Sequence, residues 1–403
     1  METIRLYDQD SHLARWEAVV LDCQPIIDGY HIVLDRTAFF PEGGGQLSDG
    51  GWIGEVPVLE TREREGRILH TTQSPVPVGT KVSCRLDWDR RLDHMQQHTG
   101  EHILSWAFWS LFGVENVGFH MGKELVTIDL SRPVTQEEMD AAEELANRNI
   151  YENHPVRCYV ASPEEAERLP LRKKTEKVTG NLRIVEIQEG DLCTCCGTHA
   201  SHTGEVGLVK LLRQEHTKGG SRVVFLCGGR ALRDYREKNR VTMEAGAALS
   251  VKENSIPDGI RRLKGEIASL GAALREKGKL LTELYARDLL AGPTEEGRLG
   301  RVIITCQPDL DSKEAKLLLA KLIEAPKTAA VVLWPVPGKD GEEGRLCYLA
   351  GKAPDSPADC TYLCELLNSL YNGKGGGKTG FAQGSGKLRP DWRETAEGLK
   401  RML

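Results

Sequence analysis

Two short motifs, far apart in the chain, place the strongest constraint on what it can fold into. Residues 98–102 read His-Thr-Gly-Glu-His, and residues 195–199 read Cys-Cys-Gly-Thr-His. Side chains four residues apart on a helix share one face, with Cβ atoms about 5–6 Å apart, so His98 and His102 point the same way. A fold that unites the two motifs can bring together the three imidazoles of His98, His102 and His199 and the thiol of Cys195, the cysteine in a Cys-x-x-x-His spacing.

Such a donor set predicts a metal. Thiolate and imidazole ligands favour zinc over hard cations, and zinc sites in proteins use up to four of them. We therefore predict one Zn²⁺ per chain, with a ligand set drawn from the two motifs: His98, His102, Cys195 and His199.

Two other interpretations fit the same residues. Cys193 and Cys196 form a Cys-x-x-Cys pair that would close a structural zinc site with His199 or His202. Glu101 also makes the first motif read as His-x-x-Glu-His, the inverted signature of a zinc metalloprotease. That class needs a further carboxylate ligand downstream, and it leaves the second motif without a role.

Composition sets the class of protein. The chain has 403 residues, 40% hydrophobic and 28% charged, which is typical of a soluble globular protein of two or three domains. The charged start and the lack of a long apolar run predict neither a secretory signal nor a membrane helix. We expect a cytoplasmic protein whose 11 cysteines are reduced. A net charge of −6 excludes general coating of nucleic acid, but it allows a local basic patch.

Hydrophobic patterning predicts an α+β fold in four segments. Residues 1–88 are rich in β-prone runs and predict a barrel-like subdomain. Residues 89–230 predict a zinc-binding α+β domain, which opens with a helix that carries the first motif and stops at Gly113. Thr135 and Ser162 each precede a helix start in the pattern of a capping box. Strands are expected at 182–187, 206–212 and 222–227.

The last two segments differ in kind. Residues 231–291 predict a helical linker with apolar residues at a four-three spacing, which suits a helix packed within the chain or a coiled coil within or between chains. Pairing between chains would make a homodimer. Residues 292–403 predict an α/β domain with a Gly-rich loop at 372–378. The apolar positions of the linker are Ile260, Leu263, Ile267, Leu270, Leu274, Leu281 and Leu284.

Three stretches in register resemble the editing domain of alanyl-tRNA synthetase: residues 39–46 (Phe-Phe-Pro-Glu-Gly-Gly-Gly-Gln), 97–102 and 195–199. The chain is most similar to the free-standing relatives of that domain, the AlaX-type alanyl-tRNA editing proteins. Residues 372–384 resemble the Gly-rich signature of the DHHA1 domain, which indicates the long form. The chain departs from the family at Cys196, where glycine is usual, and at Glu101, where glutamine is frequent.

The resemblance implies a zinc-dependent aminoacyl-tRNA hydrolase that removes a wrong amino acid from alanine tRNA. It also implies that the zinc ligands are His98, His102, Cys195 and His199. A synthetic site sized for alanine cannot reject glycine sterically, and it discriminates against serine only about 100-fold. We therefore expect Ser-tRNA(Ala), and secondarily Gly-tRNA(Ala), as substrates. A zinc-stabilised tRNA-binding module without turnover is the non-enzyme alternative.

Residues near the family stretches are predicted to complete the site. Gly43, Gly44 and Gly45 predict a close backbone approach; a tight turn explains them too, but with Gln46 and the family match they predict a wall for the terminal adenosine or the amino acid. Thr37 is predicted to recognise the serine hydroxyl. We assign catalytic roles to Glu101, Thr37 and Gln46.

Basic residues predict where tRNA would bind. The Gly-rich segment lets a phosphate approach the backbone, and nearby cations would gain from counterion release. A second basic segment, Arg172-Lys173-Lys174 with Lys177, is also available. The predicted tRNA contacts of the C-terminal domain are Lys374, Gly375, Gly376, Gly377, Lys378, Lys387 and Arg389.

Overall fold

The computed structural model describes residues 2–173, 180–292, 296–297, 299–338 and 344–400. Its contacts divide the chain into two compact units, Met1–Glu244 and Ala245–Leu403. Both units combine helices with sheets, so the predicted α+β class is confirmed. Within the described ranges, no helix is long and apolar enough to cross a bilayer.

The first unit is built from short strands and one long helix. Its strands are β1 (Ile4–Arg5), β2 (Arg15–Ile26), β3 (Gly29–Leu34), β4 (Arg36–Thr37), β5 (Gly51–Ile53), β6 (Val56–Arg64), β7 (Arg67–Thr72), β8 (Lys81–Leu86), β9 (Asn116–Met121), β10 (Val126–Leu130), β11 (Val156–Ala161), β12 (Leu182–Ile187), β13 (Leu192–Thr194), β14 (Val209–Thr217) and β15 (Gly220–Cys227). Its helices are α1 (Trp88–Phe112), α2 (Gln136–Glu152), α3 (Pro163–Arg168) and α4 (Gly228–Leu249), which crosses the division between the units.

Six antiparallel strands close into a barrel in the order β2-β3-β7-β6-β5-β8. In β7 every second residue is buried, which is the period-two pattern of a strand with one face on a core. Apolar side chains that include Trp16, Ile32 and Phe39 fill the interior. Closure pairs both edges of the sheet, so the barrel needs no other protection for its strands.

Helix α1 follows the barrel and is joined to it by a buried ion pair. Asp87 caps its N-terminus by accepting a hydrogen bond from the amide of Arg90, and Gly113 ends it in the left-handed region, as predicted. Arg91 is fully buried and pairs with the carboxylate of Asp49, in the segment between β4 and β5. The Arg91 guanidinium also donates to the carbonyl of Ser11 at 2.6 Å.

Two antiparallel sheets surround α1 and α2. One has the order β14-β15-β10-β9, and the other has the order β11-β12-β13. Thr135 and Ser162 both form the capping boxes that the sequence predicts, and α3 has proline in its first turn. Strand β13 ends at Thr194, so the second motif follows directly from a strand.

The second unit is a six-stranded sheet with helices. Its strands are β16 (Glu296–Gly297), β17 (Gly300–Cys306), β18 (Thr328–Val336), β19 (Arg345–Lys352), β20 (Lys374–Lys378) and β21 (Phe381–Lys387), in the order β16-β17-β18-β19-β21-β20. Its helices are α5 (Ile256–Ala291), α6 (Ser312–Leu322), α7 (Cys360–Leu370) and α8 (Trp392–Lys400). The β17–β18 pair is parallel, and the other neighbours are antiparallel.

The Gly-rich segment is a strand, so the prediction of a loop at this place is wrong. Residues 374–378 form β20 at the edge of the sheet, paired with β21. A Cβ atom on Gly375 would lie 2.4 Å from the Cα atom of Gly384, and one on Gly377 would lie 2.2 Å from the carbonyl oxygen of Phe381. Close approach of the two strands therefore accounts for these glycines.

The apolar seam of the predicted linker lies on α5. Its side chains are 41–72% exposed, so the described residues of the second unit leave them largely uncovered. Pairing of this seam with a second chain stays a prediction.

Candidate metal centre

The two motifs meet in the first unit. His98 and His102 lie on one face of α1 with ring centroids 5.5 Å apart. The segment after β13 places the Sγ atom of Cys195 at 3.3 Å from Nε2 of His98 and 3.4 Å from Nε2 of His199. One donor atom from each of the four residues lies within 4.8 Å of the other three. The three histidines are almost fully buried, and Cys195 is half-buried.

Each histidine of this cluster is held through its other ring nitrogen. Nδ1 of His98 is 2.7 Å from Oε1 of Gln46, and Nδ1 of His102 is 2.8 Å from Oδ2 of Asp191. Nδ1 of His199 is 3.3 Å from the hydroxyl of Thr99. A partner at Nδ1 fixes the ring orientation and leaves Nε2 available as a ligand, which is the usual arrangement behind metal-binding histidines.

Gln46 is thus a positioning residue for His98. It is 1% exposed, and its amide nitrogen donates to the hydroxyl of Thr198 at 2.8 Å. Its Oε1 atom also accepts from the amide of Thr198. The sequence predicts that Gln46 contacts substrate, because it follows the three glycines. The structure shows in addition that Gln46 bonds to His98 of the cluster.

Asp191 and Arg172 form the support behind His102, and sequence reasoning missed both roles. Arg172 donates to the two carboxylate oxygens of Asp191 at 2.6 and 2.9 Å, and neither side chain is exposed to a significant extent. Burial raises the pKa of Asp191, but the bonds from Arg172 and His102 outweigh it and lower the pKa below its usual value. Arg172 is therefore not part of a free basic patch; Lys174 and Lys177 lie outside the described residues.

The charges of the cluster suit a dication. Burial raises the pKa of the Cys195 thiol, but His98 and hydrogen bonds from His102 and His199 outweigh it and hold this pKa well below its usual value. Burial lowers the pKa of His199 to about 3, so its ring is neutral. Burial lowers the pKa of His102, but the carboxylates of Glu101 and Asp191 and the sulfur of Cys195 outweigh it and raise this pKa well above its usual value, so zinc binding would displace a proton from this ring. Thiolate and imidazole are ligands that zinc prefers, so the donor set fits Zn²⁺.

The alternative zinc sets are not assembled. Among the described residues, the only group of three or more potential ligands is His98, His102, Cys195 and His199. Cys193 is buried, and its thiol contacts the carbonyl of Thr194. Cys196 is exposed and lines a separate cavity of about 310 Å³.

A cavity of about 530 Å³ adjoins Gln46, the residue that bonds to His98. Its lining includes Gln46, Arg62, His120 and two glycines of the preceding turn, Gly43 and Gly45. Gly44 and Gly45 have φ values of 59° and 82°, and Gly43 and Gln46 bond to each other across the turn. A Cβ atom on Gly45 would lie 2.7 Å from the ring of Phe119, which itself stacks on His98. The glycines thus form a tight turn that also lines a cavity.

Comparison with proteins of known name identifies the family to which this chain belongs. The alanyl-tRNA editing protein Aarsd1 of Mus musculus is 30% identical over 399 residues, which cover 94% of this chain and 93% of that protein. AlaX-L of Pyrococcus horikoshii, also named an alanyl-tRNA editing protein, is 30% identical over 96% of this chain and 95% of its own length. This chain belongs to the alanyl-tRNA editing protein family. The resemblance found in the sequence is confirmed.

Further comparisons extend over parts of this editing protein or of its relatives. The family described as "Threonyl and Alanyl tRNA synthetase second additional domain" matches residues 182–264. The alanine–tRNA ligase of Pyrococcus abyssi is 30% identical over 100% of this chain and 44% of the ligase. A solved C-Ala domain of Aquifex aeolicus alanyl-tRNA synthetase covers 27% of this chain at 20% identity, with a TM-score of 0.22, which supports no inference.

Glu101 lies at the rim of the cluster of this editing protein. Its Oε1 atom accepts hydrogen bonds from the hydroxyl of Ser105 at 2.7 Å and the amide of Asn116 at 2.6 Å. Its Oε2 atom is 3.8 Å from Nε2 of His102. One oxygen is thus anchored while the other faces the ligand atoms.

Thr37 is buried at the barrel. Its hydroxyl lies 2.9 Å from Nε2 of His70 and accepts a hydrogen bond from the amide of Phe39 at 3.1 Å. Burial lowers the pKa of His70 to about 4, so this ring is neutral and Nε2 can accept from Thr37. The hydroxyl already has two partners in the protein, and contact with substrate stays a prediction.

Proposed function

We propose that this editing protein hydrolyses the ester between a wrong amino acid and the 3′ end of alanine tRNA, and that zinc is required. The relatives named as alanyl-tRNA editing proteins support this class of reaction. The observation that carries the proposal is the buried group of three histidines and one cysteine, next to a cavity lined by Gln46 and the glycine turn. We expect the protein to act in the cytoplasm on charged tRNA.

In this proposal His98, His102, Cys195 and His199 hold one zinc ion. When bound there, zinc would polarise the ester carbonyl and lower the pKa of water. Gln46, Asp191 and Thr99 keep the three imidazole rings oriented. The glycine turn leaves the cavity wall without side chains, so the terminal adenosine or the amino acid can approach the backbone.

Glu101 would orient the attacking water and accept its proton. The water oxygen forms a bond with the ester carbon, the bond from that carbon to the ribose oxygen breaks, and the ribose oxygen takes up a proton. The products are the free amino acid and tRNA with a free terminal hydroxyl. The anchoring of Oε1 by Ser105 and Asn116 leaves Oε2 for this role.

Glu101→Gln is expected to slow deacylation about 100-fold while zinc content stays at one per chain. A positioned proton acceptor contributes about 10²- to 10⁴-fold, and glutamine keeps the shape of the side chain without its basicity. Single-turnover rates with charged tRNA, together with elemental analysis, measure both effects. Glu124→Gln, an exposed residue outside the site, serves as the control. A Glu101→Gln rate equal to that of the unmodified protein would remove Glu101 from the chemistry.

Ser-tRNA(Ala) is expected to be hydrolysed much faster than Ala-tRNA(Ala). A panel of serine-, glycine- and alanine-charged tRNA measures this order, and equal rates on serine and alanine would contradict it. If Thr37 binds the serine hydroxyl, Thr37→Val lowers the preference for serine by about 5- to 150-fold, since one buried hydrogen bond is worth about 1–3 kcal/mol. If the role of Thr37 is to bond His70 and Phe39, the variant loses stability to denaturant and keeps its preference.

We further propose that residues 292–403 form a DHHA1-like domain that contacts the body of the tRNA. β20 and the residues after β21 expose basic side chains at one edge of the sheet. In this scheme residues 1–88 and 89–230 form the editing region, and 231–291 form the linker. The contacts are Lys374, Gly375, Gly376, Gly377, Lys378, Lys387 and Arg389.

Truncation near Gly292 is therefore expected to leave zinc binding and the hydrolytic step intact but to weaken tRNA binding. The lost affinity should be its more salt-sensitive part, because each phosphate contact releases counterions. Binding isotherms across a salt series, for the full chain and the truncated chain, measure it. Unchanged binding and deacylation after truncation would leave association of two chains as the best role for this domain.

One observation favours a second function. Four protein ligands can fill a tetrahedral zinc site, as in structural zinc sites, and a zinc-stabilised tRNA-binding module would then carry out no chemistry. The deacylation panel decides between the two, because such a module binds alanine tRNA without shortening the lifetime of its ester.

A further inference from the structure

A second cavity, of about 690 Å³, adjoins the one beside Gln46. The two cavities share Glu42 and Leu47 as lining residues. The second is formed by the segment before β5, strand β6, the N-terminal part of α1, and the first turns of α4. Both volumes lie within the range of about 300–1,000 Å³ that is typical of ligand pockets.

Cations without partners line this cavity. Within the described ranges, the exposed side chains of Lys123 and Arg233 form no hydrogen bond or ion pair. Arg230 is fixed by Asp93, at 2.7 Å, and by the carbonyl of Gly122, so the carboxylate of Asp93 is already neutralised. Two free cations beside a fixed one form a place where a phosphate can be bound.

The cavity wall also contains a buried imidazole ring. His94 on α1 is 3% exposed, and its Nδ1 atom has no hydrogen bond; the nearest carboxylate oxygen, Oδ1 of Asp49, is 3.8 Å away. Burial lowers the pKa of His94 to about 4, so the ring is neutral and offers one donor and one acceptor. The Nδ1 atom faces Asp49, which does not line the cavity, so His94 contributes the face of a neutral ring to the cavity wall.

The remaining walls suit a nucleotide. Leu59 is 49% exposed and offers an apolar surface for a base. Asp89 is also in the lining, and a carboxylate can accept from the exocyclic amino group of cytosine. Proteins that bind single-stranded nucleic acid place a positively charged groove along its backbone, and here Leu59 would add an apolar contact to the base.

We propose that the 690 Å³ cavity binds the nucleotide that precedes the terminal adenosine of the tRNA, with a phosphate between Lys123 and Arg233. This inference rests on the proposed function, in which the terminal nucleotide occupies the cavity beside Gln46. Because the cavities share Glu42 and Leu47, consecutive nucleotides of one strand reach both.

The test is the double variant Lys123→Ala/Arg233→Ala in the full chain, assayed on seryl-tRNA and on 3′-O-seryl-adenosine, which carries no phosphate. The ratio of kcat/KM for the tRNA to kcat/KM for the nucleoside ester is expected to fall about 10- to 100-fold, since hydrogen bonds to charged groups are lost. The salt dependence of kcat/KM for the tRNA should become shallower. Lys218→Ala, in the turn between β14 and β15, is the control and should change neither ratio nor slope.

A ratio equal to that of the unmodified protein would overturn the proposal. This holds whether both kcat/KM values stay the same or both fall by the same factor, since an equal fall indicates damage to the fold. Binding of a fluorescent cytidylyl-cytidylyl-adenosine trinucleotide gives an independent measurement. If the unmodified protein hydrolyses neither ester, the proposed function fails. Weaker trinucleotide binding by the double variant alone would then still support the cavity as a nucleotide site, and equal binding would reject it.

Discussion

Replacing Cys195 by alanine is expected to remove zinc from the protein and to abolish deacylation. In the proposed ligand set Cys195 is the one sulfur donor, and its sulfur lies against the Nε2 atoms of two of the three histidines. Residues behind metal ligands already contribute about 10- to 100-fold to metal affinity, so we expect more than about 100-fold from a ligand. Competition with a chromogenic chelator measures the affinity, and elemental analysis measures the content.

The neighbouring cysteines provide matched controls. Cys193→Ala and Cys196→Ala remove thiols from the same segment, one buried and one exposed, and both variants should keep one zinc per chain. Full retention of zinc by Cys195→Ala, with loss in either neighbour, would show that the ligand assignment is wrong. It would favour the Cys-x-x-Cys alternative.

Asp191→Asn is expected to weaken zinc binding about 10- to 100-fold and to destabilise the fold. The substitution removes the charge that holds His102 in orientation. It also leaves Arg172 buried opposite a neutral amide, and breaking a buried pair costs about 3–5 kcal/mol. Chelator competition and urea unfolding, in the presence and absence of zinc, separate the two effects.

The ion pair of His154 and Glu152 at the surface is a control for the effect of burial at Asp191 on stability and zinc affinity. Glu152 lies 2.9 Å from Nε2 of His154, but its side chain is half exposed. Glu152→Gln should therefore change stability by less than about 1 kcal/mol and leave zinc affinity as it was. Zinc affinity in Asp191→Asn equal to that of Glu152→Gln would remove Asp191 from the support of the metal.

Local signals let the sequence predict much of the fold. Thr135, Ser162 and Gly113 act as helix boundaries because capping depends on residues within one turn. The i,i+4 spacing of His98 and His102 placed both on one helix face because helix geometry is fixed. The meeting of the two motifs was anticipated from the chemistry of their ligands.

Long-range pairing was harder to anticipate. Asp191 and Gln46 hold their histidines from segments distant in the sequence, and an aspartate or glutamine in a loop carries no local sign of its partner. The glycines of β20 were read as a loop because glycine disfavours strands; their pairing depends on glycines and alanine of β21 that permit close approach. Arg172 looked like surface charge because its neighbours in sequence are lysines.

The buried ion pair of Arg91 and Asp49 links the folding of the barrel to the helix that carries His98 and His102, so we expect zinc content to depend on whether the barrel is folded. Arg91 lies two helical turns before His98 on α1, and its guanidinium is neutralised only while Asp49 is in place beside β5. Loosening of the barrel would leave the Arg91 charge buried without its partner, on the helix that also carries His98 and His102, and that helix would shift or fray. The zinc content of a purified sample can thus report whether the barrel is correctly folded, although no barrel residue is among the proposed ligands. Expression of residues 89–230 alone would remove Asp49 and is expected to lower the zinc content.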